Sequence, residues 1–167
     1  MGSNLFSFPN PVNEKAARTV AFVVMLVAVF TLASSSYWLL AVLSYGFIAR
    51  VATGPTLSPL GRLASSVIAP AFGPERPVPG PPKRFAQGMG AVITTSAAVA
   101  ALAFGDHTLA DGLLVMLILA AGLESLVGLC VGCHVFRLLM RAGLVPETVC
   151  EECANIWTRP GASSVGR

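Results

Sequence analysis

The sequence predicts an all-α protein: a four-span transmembrane helix bundle with a short interfacial helix and a C-terminal cytoplasmic helix. Composition is the first of three observations behind this. The chain of 167 residues is 54% hydrophobic and 11% charged, with a mean hydropathy of +0.74, whereas an ordinary soluble domain carries roughly 25% charged residues. Second, four apolar segments, 18–34, 37–52, 85–104 and 112–139, approach or reach the about 20 residues a helix needs to cross a hydrocarbon core. Third, all eleven Lys and Arg residues fall on one side of that four-pass pattern.

Lys15 and Arg18 precede the first span, and Arg50, Arg62, Arg76, Lys83 and Arg84 lie between the second and third. Arg137, Arg141, Arg159 and Arg167 lie at or beyond the end of the fourth, while the connections 34–36 and 105–111 carry no Lys or Arg. The positive-inside rule then puts both termini in the cytoplasm. The net charge of +3 reports this topology, so no nucleic-acid partner follows from it. Lys15 and Arg18 before an apolar run and Ala33-Ser34-Ser35 also fit a cleavable secretory signal, but the run is long for one, which favours an uncleaved first helix.

Spans one and two are joined only by Ser34-Ser35-Ser36, with Tyr37 and Trp38 beside them, and should form a tight hairpin anchored by interfacial rings. Ser58 followed by Pro59, with Leu60, Leu63, Ala64, Val67 and Ile68 at helical spacing, predicts a short helix over 59–69. It lies either in the cytoplasmic interface or packed under the bundle. Six prolines within 70–82 predict an extended, semi-rigid spacer. Residues 1–141 thus form a membrane domain and 142–167 a cytoplasmic tail.

Chemistry concentrates in the fourth span and the tail. Glu124 sits near the middle of that span, where an ionisable group is costly unless paired, protonated or facing water. The plainest account is a neutral carboxyl bonded to Thr94, Thr95 or Ser96 of span three; proton or substrate handling is the alternative. On a continuous helix Cys130, Cys133, His134 and Arg137 share one stripe, and Glu124 points away from it. Pro146 and Glu147 start a tail helix over 146–157 that carries Cys150 and Cys153.

The four cysteines read C-x2-C-x16-C-x2-C, a spacing that suits a four-thiolate zinc site of Cys130, Cys133, Cys150 and Cys153. Cytosolic thiols stay reduced, which leaves a metal site or a cycling dithiol as the two chemical readings. With straight antiparallel helices Cys133 comes level with Cys153, while Cys130 and Cys150 stand roughly 10 Å apart. Zinc therefore requires the fourth helix to break near Gly132, and closing either C-x-x-C as a disulfide requires local unwinding. Cys130-Val-Gly-Cys-His134 also fits the c-type haem signature, but on the wrong side of the membrane, so no haem is expected. His107, in the outer loop, reads as a solvated residue.

Phe8-Pro9-Asn10-Pro11-Val12-Asn13-Glu14, Gly54-Pro-Thr-Leu-Ser-Pro-Leu-Gly61, Pro79-Gly-Pro-Pro-Lys-Arg-Phe-Ala-Gln-Gly88, Cys130-Val-Gly-Cys133 and Val149-Cys-Glu-Glu-Cys153 together resemble a family of bacterial integral membrane proteins described only as a domain of unknown function. The resemblance covers nearly the whole chain. It implies that both cysteine pairs, the proline-rich link and the Asn-Pro segment belong to the family pattern; His134 departs from the Lys or Glu expected there. It also implies the company of thioredoxin-like and sulfurtransferase proteins. The leading expectation is a thiol redox or sulfur relay between a cytosolic thioredoxin-like partner and the membrane dithiol, with Cys133 and Cys153 as the exchanging pair. The other is an accessory subunit of a larger membrane complex, its tail pinned by zinc.

Overall fold

The computed structural model describes residues 8, 10–71 and 73–150, and these are almost entirely helical. A two-residue strand, β1 (Val12–Asn13), leads into α1 (Glu14–Ser34) and α2 (Leu39–Thr53). Helix α3 (Pro59–Leu63) continues through a π-turn at Ala64–Ile68 to Ala69–Ala71, and β2 (Pro77–Val78) follows. Then come α4 (Gly80–Ala103) and α5 (His107–Val127), each ending in a π-turn, and α6 (Val131–Arg141).

Three helices, α1, α4 and α5, are long and apolar enough to cross a membrane, while α2 is apolar but has only 15 residues. Of the apolar windows in α1, α4 and α5, only 33%, 28% and 22% are buried. The remaining apolar surface needs a medium other than water, and membrane lipid is that medium. Side-chain size follows the same logic. Small residues such as Ala28, Ala97, Ala110 and Ala121 fill the core, whereas Phe22, Phe30, Leu102 and Leu119 face outward. Within lipid, hiding a leucine from its surroundings gains little, and close backbone approach gains more. Helix α4 packs on α2 and α5, and α5 packs on α1. At Gly90 of α4 a Cβ would stand 2.2 Å from the Phe47 ring of α2, so this crossing requires glycine.

The expected hairpin forms: α1 stops at Ser35 in a left-handed turn (φ 52°) and α2 begins at Leu39. At this end Tyr37 donates from its hydroxyl to Asp111 Oδ1 at 3.0 Å and stacks on His107, ring centroids 4.5 Å apart. His107 is thus exposed but belongs to the first turn of α5, capped by Asp106, rather than to a loop.

At the opposite end the short helix starts as expected, with Ser58 Oγ accepting from Gly61 N at 3.2 Å and Pro59 in the first turn. One face packs on the bundle, with Gly61, Ala64 and Ala69 buried, and Leu63 and Val67 are exposed on the other. The proline-rich segment departs from a free spacer. Pro70 is still in α3, Pro81 and Pro82 already open α4, and Pro77–Val78 pairs antiparallel with Val12–Asn13. Asn10 Oδ1 accepts from Gly80 N at 2.8 Å, and Arg76 O accepts from Glu14 N at 2.9 Å. Proline fixes its own φ but leaves its carbonyl free, so the segment can be tied by a partner strand even where it cannot donate.

The largest correction concerns the fourth span. A single helix over 112–139 does not form: α5 begins at His107 and ends at Val127, and α6 is a separate amphipathic helix packed on α4. The tail helix expected over 146–157 begins as a single 3-10 turn, Glu147–Val149, and its remainder from residue 151 lies outside the described residues.

Candidate functional site

The break that ends α5 builds the site. Gly128 adopts φ 81°, a left-handed conformation that costs glycine little, and Leu129 N donates back to Leu123 O at 3.0 Å. The open carbonyls beyond are taken by Arg18 of α1, which donates from Nη2 to Ser125 O at 3.0 Å and to Leu126 O at 3.2 Å. A Cβ at Gly128 would stand 3.3 Å from Arg18 Nη1 in addition to the positive φ. Gly128→Ala should therefore lower the unfolding midpoint in detergent, by about 1–2 kcal/mol of stability. An unchanged midpoint would mean that the turn tolerates another conformation.

After Gly128 the chain is extended through Cys130, whose Sγ accepts from Cys133 N at 3.3 Å, so that Cys130 is the N-cap of α6. Cys130 and Cys133 are joined as a disulfide, with their Cα atoms 5.2 Å apart. The unwinding that such a closure demands falls just ahead of the pair, at Gly128 and Leu129.

Helix α6 holds the disulfide against α4. Gly132 sits on Ala86, so closely that a Cβ would come within 2.6 Å of Ala86 Cα. One turn on, Phe136 meets Phe85 with ring centroids 5.6 Å apart. Beneath lies a buried ion pair, Lys83 Nζ to Glu124 Oε1 at 2.6 Å, with side chains only 10% and 15% exposed. Both charges are within electrostatic reach of both cysteine sulfurs. Glu124 is therefore neither bonded to span three hydroxyls nor remote from the thiols. Thr94 instead donates to Gly90 O of its own helix at 2.8 Å. Glu124 lies in the π-turn Leu123–Val127 and from there reaches Lys83 of α4.

The other expected site residues separate. Cys133 turns inward with Phe136, while His134 and Arg137 are exposed, so the four-residue stripe does not form. His134 Nδ1 lies 3.0 Å from Cys130 O. Cys150 is buried and disulfide-bonded, and Cys153 lies outside the described residues. Among the described residues no three metal-binding side chains gather. Lys83, Arg50 and Arg18 were legible from sequence only as topological charges. Proximity of Lys83 to the Pro-Pro start of α4, one turn from the interface, was the one available signal.

A family model described as Domain of unknown function (DUF4395) matches residues 12–141, from the first residue of β1 to the last of α6. No curated protein and no solved structure matches the chain.

Proposed function

The chain belongs to the DUF4395 family, and from that premise we propose that it is a membrane thiol–disulfide exchange protein working with a thioredoxin-like partner. The observation that carries this reading is the Cys130–Cys133 pair, closed at the N-terminus of α6 over a buried ammonium. A helix N-terminus and a neighbouring cation both favour the thiolate, which is the attacking form of cysteine. Cys130, as N-cap, gains most from the helix and is the better nucleophile of the pair; Cys133 is the resolving sulfur.

In the reducing direction a partner thiolate attacks Cys130, the disulfide opens, and Cys133 leaves as a thiolate that takes up a proton. A second partner thiol then displaces Cys130, so that two electrons have passed to this protein and the partner is left as a disulfide. Cys150 and Cys153 form the second station, and exchange between Cys133 and Cys153 passes the electrons on. All four helices α1, α2, α4 and α5 cross the membrane, α2 being helped by the interfacial Tyr37 and Trp38. Both termini face the cytoplasm of a bacterium, where Lys15, Arg18, Arg50, Arg62, Lys83, Arg84, Arg137 and Arg141 cluster.

The test is a thiol-trapping redox titration of the full chain in mild detergent. A reversible two-electron transition within about −120 to −270 mV is expected, the span of dithiol catalysts. A pair that stays oxidised below about −300 mV would be a structural bond and would sink the proposal. Cys133→Ser should accumulate a mixed disulfide with a thioredoxin-like protein in cells, and Cys130→Ser should not. The same reduced preparation decides the competing reading, a zinc ion on Cys130, Cys133, Cys150 and Cys153 in an accessory subunit, through its metal content per chain.

A further inference from the structure

The described residues bury two cations, and one half-buried carboxylate, Glu124, lies within electrostatic reach of both. Arg50 at the end of α2 is 6% exposed and Lys83 at the start of α4 is 8% exposed. Glu124 bonds Lys83. The hydrogen-bond partners of Arg50 are neutral: Nε donates to Gln87 Oε1 at 2.9 Å and Nη1 to Ser58 Oγ at 3.2 Å. The guanidinium also lies over the Phe47 ring, 4.7 Å from its centroid. Burying a guanidinium is expensive, and neutral acceptors together with Glu124, which is within electrostatic reach but makes no ion pair with it, offset only part of that cost.

Both cations line one cavity of 260 Å³ between α1, α2, α3 and α4. Its polar lining continues with Asn13, Ser65 and Gln87, and Glu75 stands exposed at the rim, in no ion pair with either cation. At about 30 Å³ per water the space holds a tetrahedral anion together with several waters. A planar fork of N–H donors suits a phosphate or sulfate oxygen pair, and the nearby ammonium adds a point charge.

We infer that this cavity binds one oxyanion of phosphate or sulfate size through Arg50, assisted by Lys83. The ligand is either a free anion or the phosphate of an anionic lipid, since the cavity lies at the end of the bundle where the basic residues gather. Neither Cys130 nor Cys133 lines the cavity, although Lys83 is common to both sites.

The experiment uses the full chain in neutral detergent with thermal unfolding as readout. Sodium sulfate and sodium phosphate are compared with sodium chloride at equal ionic strength, and native mass spectrometry follows retention of phosphatidylglycerol against phosphatidylcholine. A rise in the midpoint specific to sulfate or phosphate identifies a free anion; selective retention of phosphatidylglycerol identifies a lipid. In either case Arg50→Gln should weaken binding at least tenfold, and exposed Arg62→Gln should leave it unchanged. Ser65→Asp, which places a carboxylate in the cavity wall, should raise the midpoint of the unliganded protein and abolish the response, and it keeps the test decisive if Arg50→Gln fails to fold. No anion-specific response and no lipid selectivity in the unaltered protein, or a response that survives both substitutions, would overturn the inference.

Discussion

Replacing Glu124 with Leu should cost the protein about 3–5 kcal/mol, the loss expected when one member of a buried ion pair is left behind. The carboxylate is the bonded counter-charge of Lys83, at 2.6 Å and largely out of solvent. Its removal leaves an ammonium that must either lose its proton or pull water into the packed end of the bundle. The partner test is sharper than the single substitution. Lys83→Met combined with Glu124→Leu removes both charges and should recover most of the loss, because the pair as a whole contributes little beyond replacing an apolar contact. Unfolding midpoints of the four proteins in one detergent would measure this. If the double variant is as unstable as the sum of the two single ones, the two side chains act separately and the pairing has no energetic meaning. Thiol labelling of the same series should show faster modification of Cys130 and Cys133 after reduction in the single variant, since the ion pair lies beneath them.

The second large effect is expected at Gly132. Valine there would drive branched methyl groups into Ala86, whose Cβ already lies 2.5 Å from where a Cβ on residue 132 would be built. Overpacking typically costs about 1–3 kcal/mol, and here the obstacle includes backbone, which cannot rotate away. The expected result is that α6 lifts from α4, the Phe85–Phe136 contact opens, and limited proteolysis cuts between α5 and α6 in the variant but not in the parent chain. Gly132→Ala paired with Ala86→Gly should restore only part of the protection, because it removes the Ala86 Cβ but leaves its Cα 2.6 Å from the new methyl group. Absence of rescue, with Gly132→Val well tolerated, would show that α6 does not depend on this contact.

The sequence conveyed the helical class, the α1–α2 hairpin, the Ser58-Pro59 start of α3 and the family because each is written locally: in run length, in a cap, in a motif. It concealed the end of α5. Hydropathy runs unbroken from Leu123 to Val135 apart from Glu124, Ser125 and His134, and nothing in it distinguishes a glycine that turns left-handed, as Gly128 does, from one that packs in a helix, as Gly132 does. The π-turn at Leu123–Val127 added a second obstacle. One wider turn and the break at Gly128 reorient the segment that carries the cysteines, so faces assigned at 100° per residue wrongly separated Glu124 from them. Lys83 was visible as a charge but not as a partner, because the pairing joins residues 41 apart through α4–α5 packing. The proline-rich segment misled for a related reason: its partner strand lies at the far end of the sequence, at Val12–Asn13.

That small ladder has a consequence for how the chain is assembled. Once Pro77–Val78 has been synthesised it can close on Val12–Asn13, tying the start of α1 to the start of α4 before α5 has left the ribosome. Since Asn10 also caps the first residue of α4, the start of that helix, with Lys83 in it, is set by the extreme N-terminal segment. A bulky fusion on that segment would thus reach the ion pair, and through it the disulfide, without entering the membrane.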